Sequence, residues 1–229
     1  MPNLYYRTLK ENVVDVIRDK ILTREYKPGM RLIEQELAEE LSVSRGPVRE
    51  ALRELARERI VEYSRNVGCF VRGVSLEDVY EIYMLRAYYE MISIRLCDGQ
   101  IPESGLKAME KALDCMKNNK LGEFRKVAEY DVMFHEAIIN SGDMPRLKKA
   151  WEDLNYGAII SSYISYADRN EMIMKQHEIH QSLFDACCEK DADQICEEIA
   201  HHYGLVMERN VKKNGELSSK YKFTMEVHI

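Results

Sequence analysis

No apolar run in this chain approaches the ~20 residues that a membrane-spanning helix needs, which excludes a helical membrane protein. The first residues lack a signal-peptide pattern, because Arg7, Lys10, Glu11 and Asp15 interrupt it. Cysteine patterning is absent as well. Cys69, Cys97, Cys115, Cys187, Cys188 and Cys196 form no C-x-x-C pair and show no small-secreted-domain spacing, so they read as reduced thiols, mostly small buried hydrophobes. A cytoplasmic protein is expected. Convincing strands are missing from residue 75 until the last few residues. At 229 residues the chain has room for one or two domains and a substantial core.

A positive net charge is also lacking: the formal total is −6, which taken alone argues against a nucleic-acid partner. The distribution removes that objection. Residues 1–73 hold 14 Lys and Arg against 12 Asp and Glu, whereas residues 74–229 hold 19 against 27. The basic excess lies in the first third, and local field matters more than the total.

That first third holds the most informative stretch, Leu37 to Leu55. Leu37 and Leu41 share one face of a short helix, and Val48, Leu52 and Leu55 share one face of a second. Ser44 is placed to cap the second helix, its hydroxyl accepting from a first-turn amide. Pro47 removes an N–H that had no helical partner. Arg45 and Arg49, one turn apart, project from the helix start, as reading of the major groove requires. Arg59–Tyr63 and Gly68–Arg72 read as strands joined by a turn at Ser64–Val67, in which Asn66 tolerates positive φ. Three helices and a two-stranded wing make a winged helix-turn-helix.

Residues 8–72 resemble the DNA-binding domain of GntR-type bacterial transcription regulators. The carrying residues are Lys27-Pro28-Gly29-Met30-Arg31-Leu32, Glu36-Leu37-Ala38, Val43 through Leu52, and Gly68-Cys69-Phe70-Val71. The resemblance implies that Arg45 and Arg49 contact double-stranded operator DNA, as does the wing tip around Asn66 to Gly68; Ser44 at the helix start and the basic wing residue Arg65 join them as candidate DNA-binding residues. Gln35 stands where many members carry an arginine that also touches DNA.

The boundary falls near Gly73-Val74, giving a DNA-binding domain over 1–73 and a helical effector-binding and dimerisation domain over 74–229. Ser75 starts a helix with acids in its first turn. Six helices are expected, at roughly 75–98, 103–118, 121–140, 145–166, 170–190 and 192–212. The fold class is therefore mainly α: a winged helix-turn-helix followed by an all-α antiparallel bundle. The tail after Lys213 is polar, then mixed.

In the bundle, Asp131 and His135 are four apart on one helix and reach the same face. His180 and His202 lie on the next-to-last and last helices. Together they could bind a divalent transition metal. Alternatively, His135 is a core histidine bonded to Asp131 while His180 and His202 face solvent. Residues 75–212 also resemble the FCD effector domain of the FadR subfamily, through Arg86-Ala87-Tyr88-Tyr89-Glu90, Asp131-Val132-Met133-Phe134-His135, and the run from His180 through Asp191 to His202. The resemblance implies a metal on Asp131, His135, His180 and His202, with zinc, nickel and manganese as candidates. His177 and His201 would be bystanders. Six helices suggest the VanR-like branch.

Three nitrogens and one oxygen leave coordination positions open on an octahedral ion, so a small organic acid is the natural effector. Arg86 could pair with that acid, or with Glu90 four residues on. Binding would change the spacing of the recognition helices in a homodimer on palindromic DNA, through different affinity for two arrangements. The expectation is a ligand-responsive regulator, not an enzyme. Two other classes stand beside it. One is a metal-dependent hydrolase, for which no general acid or base is evident. The other is an effector-free architectural DNA-binding protein, which would leave the His and Asp residues without purpose.

Overall fold

A computed structural model describes residues 8–65, 67–119, 124–154 and 166–214. The chain divides into two compact units, one reaching Val74 and the other beginning at Ser75.

The first unit runs α1 (Leu9–Leu22), β1 (Arg31–Leu32), α2 (Glu34–Glu40), α3 (Arg45–Arg57), β2 (Val61–Ser64) and β3 (Gly68–Val71). A reciprocal cap starts α1: the Glu11 amide donates to Thr8 Oγ1 at 3.2 Å, and the Thr8 amide donates to the Glu11 carboxylate at 2.7 Å. Val13, Ile17 and Ile21 recur on one face of α1, Val48, Leu52 and Leu55 on one face of α3, and all six are buried. The turn between α2 and α3 closes when the Val43 amide donates to the Ala38 carbonyl at 2.9 Å, with Ser42 at φ 55°. The sheet has three strands in the order β1-β3-β2, all antiparallel, with Leu32 opposite Cys69 and Val61 opposite Val71. The two-stranded wing expected from sequence therefore gains a third strand. β1 is only two residues long, too short to show a period, and is held by its pairing to β3.

The second unit contains, among its described residues, α4 (Leu76–Leu96), α5 (Glu103–Lys117), α6 (Phe124–Ser141), α7 (Pro145–Glu152), α8 (Tyr166–Glu189) and α9 (Ala192–Asn214). Ser75 caps α4 as its sequence position suggests: its hydroxyl accepts from the Asp78 amide at 3.1 Å, and its own amide donates to the Asp78 carboxylate at 3.0 Å. The helix expected over 145–166 is shorter, with α7 ending at Glu152. The choice between six and seven helices, and with it the VanR-like branch, turns on residues 155–165, which lie outside the described residues, as does the tail after Asn214. The bundle packs α4 against α6 and α9, α5 against α6 and α8, and α8 against α9. Its core contains Tyr83, Met91, Ile94, Phe134, Ile138, Leu183, Ile195 and Ile199, all buried.

Candidate metal centre and nucleic-acid interface

The first candidate surface is the outer side of α3 and the wing. Burial of Val48, Ala51, Leu52 and Leu55 turns the opposite face of α3 outward, so Arg45, Arg49 and Arg53 are exposed. The Arg45 guanidinium stands 3.6 Å from Glu34, a loose and mostly exposed pair that leaves it available. Ser44 holds the N-cap position of α3, but its hydroxyl makes no capping hydrogen bond, contrary to the expectation from sequence. That leaves the hydroxyl able to meet another partner. Gln35 is exposed and donates to Glu39 at 3.1 Å. Arg65 is exposed beside the wing turn, and Gly68 opens β3 at φ +126°. The Arg31 guanidinium lies against Gly68, its Nε only 3.2 Å from where a β-carbon would sit. A side chain there would collide with Arg31 as well as strain the backbone. Asn66 lies outside the described residues.

The second site is interior. α6 carries Asp131 and His135 on one face, α8 brings His180, and α9 brings His202; all four are buried. The three imidazole rings sit 4.7 to 5.2 Å apart, centre to centre. One ring nitrogen from each lies within 4.8 Å of the others. Hydrogen bonds decide which nitrogens face inward. His180 Nδ1 donates to the Gln176 carbonyl at 2.8 Å, His202 Nδ1 to the Ile179 carbonyl at 3.2 Å, and His135 Nδ1 to the Glu90 carboxylate at 2.8 Å. Each Nδ1 is thus the protonated nitrogen, and each Nε2 keeps its lone pair. The Nε2 atoms of His135 and His180 are buried and make no hydrogen bond among the described residues. Asp131 Oδ1 stands 4.0 Å from the first and 3.3 Å from the second. Lone pairs facing a carboxylate oxygen in a dry interior repel, unless a cation stands between them.

Electrostatics agree with that fit. Burial lowers the pKa of His135, and lowers that of His202 further, favouring the neutral form a ligand must have. Burial alone would raise the pKa values of Asp131 and Glu90. The Arg86 guanidinium outweighs it at Asp131, and the His135 Nδ1–H with Arg86 does so at Glu90, so both carboxylates are held below their usual range. Two carboxylates and Arg86 leave the cluster one net negative charge, which suits a cation.

Arg86, on α4, is fully buried. Its Nη1 lies 3.4 Å from Asp131 Oδ2, its Nε lies 3.7 Å from Glu90 Oε1 and donates to the Tyr203 hydroxyl at 3.0 Å, and its guanidinium stacks 4.7 Å over the Trp151 ring. The pairing with Glu90 suggested by their spacing is therefore present, and Asp131 shares the same cation. His201 is exposed and lies 3.5 Å from Glu198, and His177 is only half-buried. Sequence reasoning missed Tyr203 and Trp151 at the centre, and gave Glu90 only the Arg86 partner. Tyr203 directly follows His202, but adjacency on a helix does not imply a shared face, so the sequence carried no signal for it.

Comparison with known proteins decides the family. Residues 9–71 match the family described as bacterial regulatory proteins, gntR family, and residues 81–205, more than half of the chain, match the FCD domain. The chain belongs to the GntR family and carries an FCD domain. This is the combination of the FadR-like subfamily, whose members are transcription regulators. The gluconate operon transcriptional repressor of Bacillus subtilis (strain 168) is 29% identical over 201 residues, covering 84% of this chain and 81% of that protein. The HTH-type transcriptional repressor RspR of Escherichia coli (strain K12) is 26% identical over 212 residues, covering 89% and 86%. In structure, E. coli McbR/YncC superposes with a TM-score of 0.65 at 22% identity, covering 90% of this chain and 99% of that one, which speaks for the fold. No helix among the described residues of this GntR regulator is long and apolar enough to cross a membrane.

Proposed function

We propose that this GntR regulator binds palindromic operator DNA as a homodimer and responds to a small organic acid bound at a divalent ion in its FCD domain. The carrying observation is the interior cluster: one ring nitrogen from each of three imidazoles and the Asp131 carboxylate brought together, with the buried Nε2 atoms of His135 and His180 making no hydrogen bond among the described residues. Asp131, His135, His180 and His202 hold the ion, which is zinc, nickel or manganese, since such ligands do not choose strongly among them. A bound ion supplies Lewis-acid coordination for one effector carboxylate. Arg86 provides the positive wall beside it. The B. subtilis relative is named for a gluconate operon, and gluconate is a hydroxy acid of the proposed class.

Arg45 and Arg49 read base edges, with Ser44, Gln35, Arg65, Asn66 and Gly68 positioning the helix and wing. A single winged helix reads too few base pairs for selectivity, and a two-fold protein calls for a two-fold site. Residues 1–73 act as the DNA-binding domain and 74–229 as the effector-binding and dimerisation domain, in a cytoplasmic protein with no catalytic role.

Elemental analysis of the purified chain should find about one divalent ion per protomer, and His180→Ala should lose it. A wild-type protein that takes up none of these metals would sink the site. With metal present, a library of organic acids should raise the melting temperature by mass action. Sedimentation should show a dimer at micromolar concentration.

A further inference from the structure

We infer that Glu90 is a positioning residue for the metal centre: it dictates which ring nitrogen of His135 is free to bind the ion. This rests on the metal reading above and adds a residue outside the four ligands.

Glu90 lies on α4, one turn after Arg86, and is fully buried. Three donors from three other helices meet its carboxylate. His135 Nδ1, from α6, donates to Oε2 at 2.8 Å. Trp151 Nε1, from α7, donates to Oε1 at 3.1 Å, and the Tyr203 hydroxyl, from α9, donates to the same oxygen at 2.7 Å. Two of these directions are forced. An indole N–H can only donate. The Tyr203 oxygen accepts from Arg86 Nε at 3.0 Å and lies 3.3 Å from His135 Nδ1, but a carboxylate can only accept, so the hydroxyl donates to Glu90 Oε1 while His135 Nδ1 carries the ring proton. The Oε1 side therefore must be an acceptor. Only the Oε2 side meets a group that can reverse its role, because neutral imidazole carries its proton on either nitrogen.

This predicts an unusual result for the near-isosteric substitution Glu90→Gln. A carboxamide has one acceptor end and one donor end. With its oxygen held toward Trp151 and Tyr203, its NH2 faces His135 Nδ1. That nitrogen must then accept, and the ring proton moves to Nε2, the atom facing Asp131 Oδ1 at 4.0 Å. All hydrogen bonds around residue 90 survive in number, and His135 ceases to be a ligand. A Glu90 that merely satisfies buried donors would change stability on substitution, but not the tautomer.

The test uses the full-length chain. His135 is read by two-bond 1H–15N correlation after metal removal, and Zn2+ affinity by competition with a chromogenic chelator. Wild type should show the Nδ1–H tautomer. Glu90→Gln should show the Nε2–H tautomer and bind Zn2+ about 10- to 100-fold more weakly, with unchanged far-UV circular dichroism. Tyr203→Phe leaves a carboxylate against His135 and should keep the Nδ1–H tautomer. The inference is overturned by an Nε2–H tautomer in metal-free wild type, a measurement that stands even if the variant fails to fold. It is overturned equally by a Glu90→Gln protein that keeps the Nδ1–H tautomer, whatever its affinity. A wild-type chain that takes up none of Zn2+, Ni2+ and Mn2+ removes the metal reading and this inference together, whereas wild-type binding matched by the variant removes only the role of Glu90.

Discussion

The two units keep their chemistry in opposite places. Eight polar or charged side chains are buried among the described residues, and all eight lie in the second unit: Arg86, Glu90, Ser93, Asp131, His135, Gln176, His180 and His202. The first unit buries a core of apolar residues and holds Arg45, Arg49 and Arg53 on the surface. A DNA-reading surface must meet a hydrated, charged partner, so its side chains stay in water and contribute little to stability. A site for a small ion works by excluding water, which strengthens every electrostatic term within it. The cost is a set of charges that must be compensated one by one. The first unit should therefore tolerate loss of its functional residues, and the second should not.

The sharpest way to break that contrast is Arg86→Met. It removes the cation 3.4 Å from Asp131 and 3.7 Å from Glu90 and leaves two buried carboxylates without it. Breaking a buried pair in this way costs about 3–5 kcal/mol. Trp151 is the only tryptophan and belongs to the second unit, so urea unfolding followed by its fluorescence reports that unit alone. A loss below about 1 kcal/mol would mean that the interior charges are already solvated, and the contrast would fall.

Acid should separate the units next. Burial lowers the folded pKa of His135 and His202 from the ordinary 6.5. Unfolding exposes them to protonation, so the unfolded state binds more protons below that value. Their contribution is present above about pH 6.5 and is lost as pH falls toward the folded pKa values. The depressed carboxylates Asp131 and Glu90 act in the same direction at lower pH. In chelator-treated protein, the fluorescence-detected stability should fall by up to about 1.4 kcal/mol per pH unit for each imidazole that stays neutral. A flat profile between pH 7 and pH 5 would contradict the burial.

The same division governs what the sequence reveals. The helix-turn-helix is written in short-range terms: apolar residues three and four apart, Pro47 in a first turn, and arginines one turn apart on the outer face. The Ser75 cap is equally local and appears where expected. The four ligand-competent residues were legible through resemblance, because spacing alone could not show that His180 and His202 turn inward. The surroundings of Glu90 were not legible. Its partners lie 45, 61 and 113 positions away, and their meeting depends on helix packing that no window records. β1 escaped notice for a related reason, since two residues have no period and exist as a strand only through β3.

On the outside, Arg49→Ala should weaken binding to a duplex selected from a random library by the wild type. The expected loss is about 1–3 kcal/mol, near 10- to 100-fold, for one bidentate base contact. Stability should move by no more than about 0.5 kcal/mol, because Arg49 is exposed. Fluorescence anisotropy gives the first number and urea unfolding followed by circular dichroism the second. Unchanged affinity would remove α3 as the reading element, and a large stability loss would erase the difference between the units.

The smallest effect is expected in the turn that joins α2 to α3. If the first unit holds no charge strain inside, its remaining internal cost is in the backbone. Ser42 adopts φ 55°, a left-handed conformation that costs a residue with a β-carbon roughly 1–2 kcal/mol. Glycine adopts it freely but loses more entropy on folding, by about 0.5–1 kcal/mol. Ser42→Gly should therefore stabilise the first unit by about 0.5–1 kcal/mol. The turn itself should not move, because the Ser42 amide donates to Glu39 at 3.2 Å and the Val43 amide to Ala38 at 2.9 Å whatever the side chain. DNA affinity should then be unchanged, since α3 keeps its place relative to α2. Thermal unfolding followed by circular dichroism, with anisotropy on the same duplex, checks both statements. A drop in stability would show that the serine hydroxyl stabilises the turn, and that the first unit, too, relies on a polar contact the backbone does not supply.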